Sequence, residues 1–334
     1  MIKNIHKILL LIVIVIVSSC NTTSKNTIGY LSPASYRERF VIEAEYTIDK
    51  LKELGYETML MYAEDDNTLQ LQQGYELLEK GVDAIIITSV NNNTIAPLVR
   101  DAKRKGVKII AYNRLINNSD YDLFITGNNQ NNAELFCETA LSNKPEGNYV
   151  VLAGDKFDRN GFELKMHIDS ILKPHVKSGK INILYQSYIE DWSRERATYE
   201  FQKVVDAYGT DIDAVIASND PMGLAVNDVM RKYGKVGDVV TMGQDASIEM
   251  IRAIYNEEAH MTIYHPHKTL GIKTAELVHD ILNGKSTKQL ANAQTFNGFT
   301  DISTVQINSI PLTKNNIMEI LVETGEMTLE EIQN

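Results

Sequence analysis

Short, nearly continuous apolar runs alternate along this chain with longer stretches in which apolar positions recur at helical spacing. The runs at residues 28–32, 57–63, 84–88, 108–112 and 123–126 read as strands, and the stretches at 38–54, 67–80 and 94–105 read as helices. Ala84-Ile85-Ile86-Ile87-Thr88 lacks polar alternation, as expected of a strand covered on both faces. The pattern then begins again. Strands are predicted at 149–152, 181–185, 214–217, 239–242 and 261–264, separated by helices at 161–177, 194–207, 222–233 and 247–255.

Such βα repetition predicts parallel sheets with helices on both faces. Two successive sets of strands, in a chain longer than one core usually supports, predict an α/β protein with two doubly wound lobes. The polar stretch 127–132 is where the chain is expected to cross between them. Ligands of such sheets bind outside the carboxyl ends of the strands, so two facing lobes would share one cleft.

A further apolar run, residues 8–17, follows Lys3 and Lys7. It is too short for a stable membrane span and has the charged start and apolar middle of a secretory leader. It ends in Val17-Ser18-Ser19-Cys20, which resembles the lipobox of bacterial lipoproteins. That resemblance implies a signal peptide over 1–19, cleavage before Cys20 and lipid on the new terminal cysteine. Residues 20–27 would then be a polar linker tethering an exported body to the periplasmic or extracellular face of a membrane. The alternative is an ordinary leader with a coincidental cysteine.

The chain carries a net charge of −11, and loss of Lys3 and Lys7 takes it two units further, to −13. Such a body gains no counterion-release attraction to nucleic acid, and none is expected as a partner. It is equally unsuited to an anionic membrane surface. Beyond Cys20 the only cysteine is Cys137, in an apolar helical stretch, and it reads as a small buried hydrophobe.

The predicted strand ends carry a consistent chemistry. Arg39 and Phe40 follow the first strand, and Asn113 and Arg114 the fourth. Asp158 and Asn160 follow the sixth, Trp192 the seventh, Asn219 the eighth, Asp245 the ninth and His265 the tenth. Planar groups with two donors or acceptors grip adjacent hydroxyls bidentately, and charge strengthens the bonds. An aromatic face packs on the C–H face of a pyranose. Each residue also has a plainer reading. The arginines fit surface ion pairs, Asn219 a helix cap, Phe40 and Trp192 core packing, and His265 an inert loop.

These residues carry a resemblance, from about Ile28 onward, to bacterial D-xylose-binding proteins in the pentose and hexose branch of type I periplasmic binding proteins. The closest blocks are Arg39-Phe40, Gly106-Val-Lys-Ile-Ile-Ala-Tyr-Asn-Arg-Leu-Ile-Asn117, Leu172-Lys-Pro-His-Val-Lys-Ser-Gly-Lys180, Ala217-Ser-Asn-Asp220, Gly243-Gln-Asp-Ala246, Met261-Thr-Ile-Tyr-His-Pro266 and Lys314-Asn-Asn-Ile317. The resemblance implies sugar-contacting roles for the ten strand-end residues, with Phe40 and Trp192 as a sandwich. It also implies a three-segment hinge, with crossings near 127–132, 261–264 and 295–298. One lobe is then expected over 28–128 with 264–295, the other over 129–263 with 296–334. Family members with xylose usually carry Trp, Asp and Lys where this chain has Phe40, Asn113 and His265. These changes alter which hydroxyls are satisfied, so another pentose, a deoxy-sugar, a hexose or a cyclitol stays open.

The resemblance further implies a monomeric receptor that closes on a monosaccharide and hands it to an ABC permease. The alternative partner is a membrane sensor kinase or chemoreceptor. An enzyme is not expected: no nucleophile elbow, zinc-protease helix, phosphate loop or dinucleotide fingerprint is present. No cofactor is expected, and His265-Pro266-His267 is too sparse to argue for a metal.

Overall fold

The computed structural model describes residues 26–334. The leader 1–19, Cys20 and most of the linker 20–27 lie outside the described residues. Two sheets organise the rest. The first contains β1 (Thr27–Ser32), β2 (Glu57–Tyr62), β3 (Ala84–Ile87), β4 (Lys108–Tyr112), β5 (Leu123–Gly127), β11 (Ala293–Phe296) and β12 (Asp301–Ile307), in the order β11-β12-β5-β4-β3-β1-β2. The second contains β6 (Gly147–Ala153), β7 (Ile181–Tyr188), β8 (Ala214–Ala217), β9 (Val240–Gln244), β10 (Met261–Tyr264) and β13 (Ile310–Leu312), in the order β13-β10-β9-β8-β6-β7. Pairing is parallel except at β11–β12 and β10–β13. The α/β reading with two doubly wound lobes is therefore correct.

The central strands are buried because nothing in them asks for water. All four residues of β3 and of β8 are buried. Each isoleucine so covered contributes about 1.5–3 kcal/mol of transfer free energy. Helices α1 (Glu38–Glu53), α2 (Asn67–Glu79) and α3 (Ala96–Arg104) cover the first sheet. The second carries α4 (Asn129–Asn143), α5 (Arg159–Lys177), α6 (Arg194–Tyr208), α7 (Asp220–Arg231) and α8 (Ile248–Tyr255). Cys137 is buried within that core, and burial pushes its thiol up to about 12, so it is unreactive at neutral pH.

After β10 the chain returns to the first lobe, where α9 (His267–Leu282) packs along α1. The contact is close at Gly271, where an added Cβ would lie 2.6 Å from Tyr46 Cβ and 2.8 Å from the Glu43 carbonyl oxygen. The third crossing differs from expectation. Strand β12 pairs with β5 from Thr304 to Ile307, so residues 301–307 belong to the first sheet. The chain crosses between Ile307 and Ile310, not near 295–298. Asn297-Gly298 is a genuine turn, but it closes the β11–β12 hairpin. Gly298 supplies a φ of 93°, and Asn297 Oδ1 accepts from the Phe299 and Thr300 N–H groups at 3.1 Å.

The crossing segments are laced together. The Asn128 N–H donates to the Ile307 carbonyl at 3.1 Å, and Asn128 Nδ2 donates to Asn308 Oδ1 at 3.0 Å. The Ser309 N–H donates to Asn131 Oδ1 at 3.1 Å, and the Ser309 hydroxyl is hydrogen-bonded to His265 Nδ1 at 2.9 Å. Gly271→Ala is expected to lower stability by about 1–3 kcal/mol, because backbone atoms must move to admit the methyl group. A urea unfolding curve with a lower midpoint and unchanged slope checks this.

Candidate functional site

The carboxyl ends of both sheets open on one cavity of about 300 Å³. Arg39, Phe40, Asn113 and Arg114 border it from the first lobe. Asp158, Asn160, Trp192, Asn219 and Asp245 border it from the second, and His265 from the connection after β10. The structure thus gathers all ten strand-end residues around one space. Arg37, Asn129, Asn132, Asp191 and Gln244, which sequence reasoning did not assign as ligand contacts, also border it. Gln244 and Asn132 lay within singled-out segments, 243–246 and 127–132, but their polarity alone did not distinguish them from loop residues.

Several of these residues leave their strands through unusual backbone. Asn113, Trp192 and Asp245 have φ of 61°, 56° and 101°. Left-handed conformations cost non-glycine residues free energy and concentrate where a side chain must be aimed. Strand hydrogen bonds pin two of them: Asn113 N–H donates to the Ile125 carbonyl at 2.7 Å, and Asp245 N–H to that of Ile263 at 2.9 Å.

Phe40 is 8 % exposed, and the guanidinium carbons of Arg39 and Arg114 lie 5.9 and 5.8 Å from its ring centre. Arg114 also donates to the Ser89 carbonyl at 3.0 Å. Burial lowers its pKa, opposed by the charge of Asp158. Trp192 stands opposite, in the turn Glu190–Trp192 after β7. Its ring lies against Gly154, where a Cβ would come within 2.2 Å of it. Asn219 serves two ends at once. Its Oδ1 caps α7 by accepting from the Met222 N–H at 2.9 Å, and its Nδ2 donates to the Trp192 carbonyl at 3.2 Å. The cap reading of Asn219 is right and does not remove it from the cavity wall. Asp158 likewise caps α5, accepting from the Asn160 N–H at 2.9 Å.

A buried carboxylate governs the first-lobe side. Glu43 is fully buried on α1 and accepts from Arg39 Nε at 2.9 Å and the Tyr112 hydroxyl at 2.8 Å. It is also hydrogen-bonded to His267 Nδ1 at 3.0 Å. Burial alone would raise its pKa. The Arg39 charge, with His267 and Tyr112, outweighs burial and holds it below the ordinary carboxylate value. Arg39 Nη1 then donates to Asp245 Oδ1 on the other lobe at 3.0 Å. Burial pulls the Arg39 pKa down, but Glu43 and Asp245 more than reverse this, so it stays cationic.

Two further groups are perturbed. Asp220, fully buried beside the cavity wall, is pushed up to about 8, first by burial and then by the Asp245 charge. It accepts from the Ser247 N–H and the Thr262 hydroxyl, both at 2.6 Å, and so ties the ends of β8, β9 and β10. His265 is 3 % exposed, and burial, then Arg39 and His267, lower its pKa well below 6.5. It is neutral at neutral pH. Among the described residues no group of three or more His, Cys, Asp or Glu side chains is placed to hold a metal ion.

The signs differ. An unfolded His265 takes up a proton as pH falls through 6.5, whereas the folded one does not, so its burial costs stability below that pH. Asp220 acts oppositely: its contribution is present in acid and is lost as pH rises toward about 8. His265→Gln should remove up to about 1.4 kcal/mol of acid destabilisation per pH unit below 6.5. Unfolding free energies of the two proteins between about pH 7 and 5 should converge on acidification, and parallel curves would contradict the assignment.

Comparison with known proteins agrees with this geometry. The family model described as a periplasmic binding protein domain matches residues 28–286. The chain is 30 % identical over 295 residues to the D-xylose-binding periplasmic protein of Haemophilus influenzae, covering 88 % of each chain. It is 30 % identical over 288 residues to the D-xylose-binding periplasmic protein of Escherichia coli K12, covering 86 % of this chain and 87 % of that one. A solved ABC transporter solute-binding protein from Clostridium phytofermentans, with bound β-D-glucose, superposes with a TM-score of 0.80. It is 24 % identical, and the match covers 92 % of this chain and 100 % of that one. Sequence and fold together place this chain in the periplasmic binding protein family, as a type I member resembling the D-xylose-binding proteins.

Proposed function

We propose that this chain captures a monosaccharide, xylose or a similar sugar, between its lobes and delivers it to an ABC transporter. The observation that carries this reading is the cavity itself. Phe40 and Trp192 border it from opposite lobes, and arginine, amide and carboxylate groups fill the wall around them. Two aromatic faces suit the C–H faces of a sugar ring, and bidentate polar groups suit its hydroxyls. The D-xylose-binding relatives and the glucose-bound neighbour support a sugar as the ligand.

Sugar held by one lobe presents hydroxyls to the other, so closure completes the hydrogen bonds and expels water. The ligand shifts the open–closed balance only through its greater affinity for the closed form. The closed shape is what the membrane permease reads. The role is binding without turnover: the carboxylates bordering the cavity are engaged in caps and ion pairs, as at Asp158 and Asp245. We assign Cys20 as the lipid anchor, supported by the Val17-Ser18-Ser19-Cys20 sequence behind an apolar run.

A thermal-shift panel of pentoses, hexoses, deoxy-sugars and inositols tests the reading. A monosaccharide at about 100 times its Kd should add about 2.7 kcal/mol of stability. Trp192→Ala should abolish the shift while leaving the unliganded melting temperature within a few degrees. No stabilisation by any small polyol would overturn the proposal. In cells, Cys20→Ser should move the protein from the membrane fraction to the soluble exported fraction. Retention in the membrane would remove the lipid assignment.

A further inference from the structure

Among the described residues, two hydrogen bonds outside the crossing segments join the lobes. The first, from Arg39 to Asp245, lies at the wall of the cavity described above. The second is remote from it. Arg159 Nη1, at the start of α5, donates to the Phe296 carbonyl at the end of β11 at 3.1 Å. Arg159 borders a smaller cavity of about 210 Å³, which has Arg114, Asp158 and Asn160 in common with the first.

Both ends of this contact are held by their own lobe. Arg159 Nε is paired with Glu163 Oε1 at 2.7 Å, one turn along α5. Glu163 Oε2 accepts from Asn129 Nδ2 at 3.1 Å, and the same nitrogen donates to Asn160 Oδ1 at 3.2 Å. Asn129 lies in the crossing segment 127–132, so the guanidinium is braced against the hinge. On the other side, Phe296 immediately precedes the Asn297-Gly298 turn. Asn297 is buried, and its Nδ2 donates to the Ile116 and Ser119 carbonyls at 3.0 and 2.6 Å. The Asn118 N–H donates in turn to the Asn297 carbonyl at 2.8 Å. The hairpin that carries the acceptor is thereby fastened to the loop after β4. With donor and acceptor each fixed to its own lobe, rotation about the crossings that parts the lobes breaks the bond.

We propose that Arg159 is a positioning residue for closure, which sets the open–closed balance of the empty protein without contacting the ligand. A bond made only in the closed form raises the closed fraction, and apparent affinity rises in proportion to that fraction. The factor is common to every ligand that requires closure, because Arg159 stands outside the cavity that discriminates among them. Arg39 and Asp245 differ, since they border that cavity and a ligand there meets them directly. The effect on affinity rests on the monosaccharide reading above, whereas the effect on the empty protein does not.

The test therefore begins without ligand. Spin labels at the exposed positions Thr68→Cys and Glu195→Cys, one on each lobe, report the lobe separation by pulsed electron paramagnetic resonance. Arg159→Ala should move weight to longer distances. Arg159→Lys, which keeps a donor, should restore part of the closed population. The ligand-free melting temperatures of wild type and both variants should agree within a few degrees, which a role in folding alone would not allow. Calorimetric titration of D-xylose, D-glucose and any other sugar that stabilises the protein should then show one common loss of affinity in Arg159→Ala. That loss should be about two- to tenfold, as for a single solvent-facing hydrogen bond. Should Arg159→Ala fail to fold, Arg159→Lys supplies the same comparison, with a smaller shift in the same direction. An unchanged distance distribution in the variants would overturn the proposal. So would a loss confined to one sugar, which would make Arg159 a ligand contact. If wild type binds no monosaccharide, the functional reading falls, and the distances in the empty protein alone decide for or against Arg159.

Discussion

A carboxylate with no access to water sets the terms for this molecule. Glu43 is fully buried, and an ion so placed is tolerable only if strongly paired. Its partners are Arg39, Tyr112 and His267, drawn from α1, the end of β4 and the start of α9. Three separate parts of the first lobe are thereby fixed to one point. Arg39 is held by its Nε, so its remaining guanidinium edge faces outward, where it meets Asp245 of the second lobe at 3.0 Å. A core charge is thus linked through one side chain to the opposite wall of the cleft.

The second lobe answers with a similar device. Asp220 is buried and raised to about 8, and its bonds to Ser247 and Thr262 knot three strand ends beneath Asp245. Above this knot the backbone turns through left-handed conformations at Asp245 and Ala246. Strain there is sustained by the bonds below. The consequence is functional: polar side chains at the cavity wall are pre-aimed, so a ligand loses less free energy in ordering them. Gly154 plays a complementary part by giving the Trp192 ring a flat seat.

Much of this was legible in the sequence. The unbroken apolar strands Ala84–Ile87 and Ala214–Ala217 announced a doubly covered sheet, and polar and aromatic residues placed just beyond strand ends announced a cleft. What escaped has physical causes. Glu43 lies mid-helix, where a glutamate looks solvated, and only the fold brings Tyr112 and His267 to it. Strand β12 alternates polar and apolar residues, an edge-like pattern that hid its place beside β5. Asn297-Gly298 showed a turn but not its consequence, because a hairpin and a lobe crossing call for the same residues. Asn132 is one asparagine in a run of polar residues, and its burial depends on Gln244 from a distant strand.

The central claim is that one ligand, gripped from both sides, draws the lobes together. Pulsed electron paramagnetic resonance measures this directly, with spin labels at Thr68→Cys in the first lobe and Glu195→Cys in the second. Both positions are exposed, Cys137 is buried, and Cys20 is replaced by serine in the labelled protein. The account predicts that a saturating monosaccharide shortens and narrows the distance distribution between the labels, and that Arg39→Ala weakens this response. A sugar that binds tightly while leaving the distribution unchanged would contradict it.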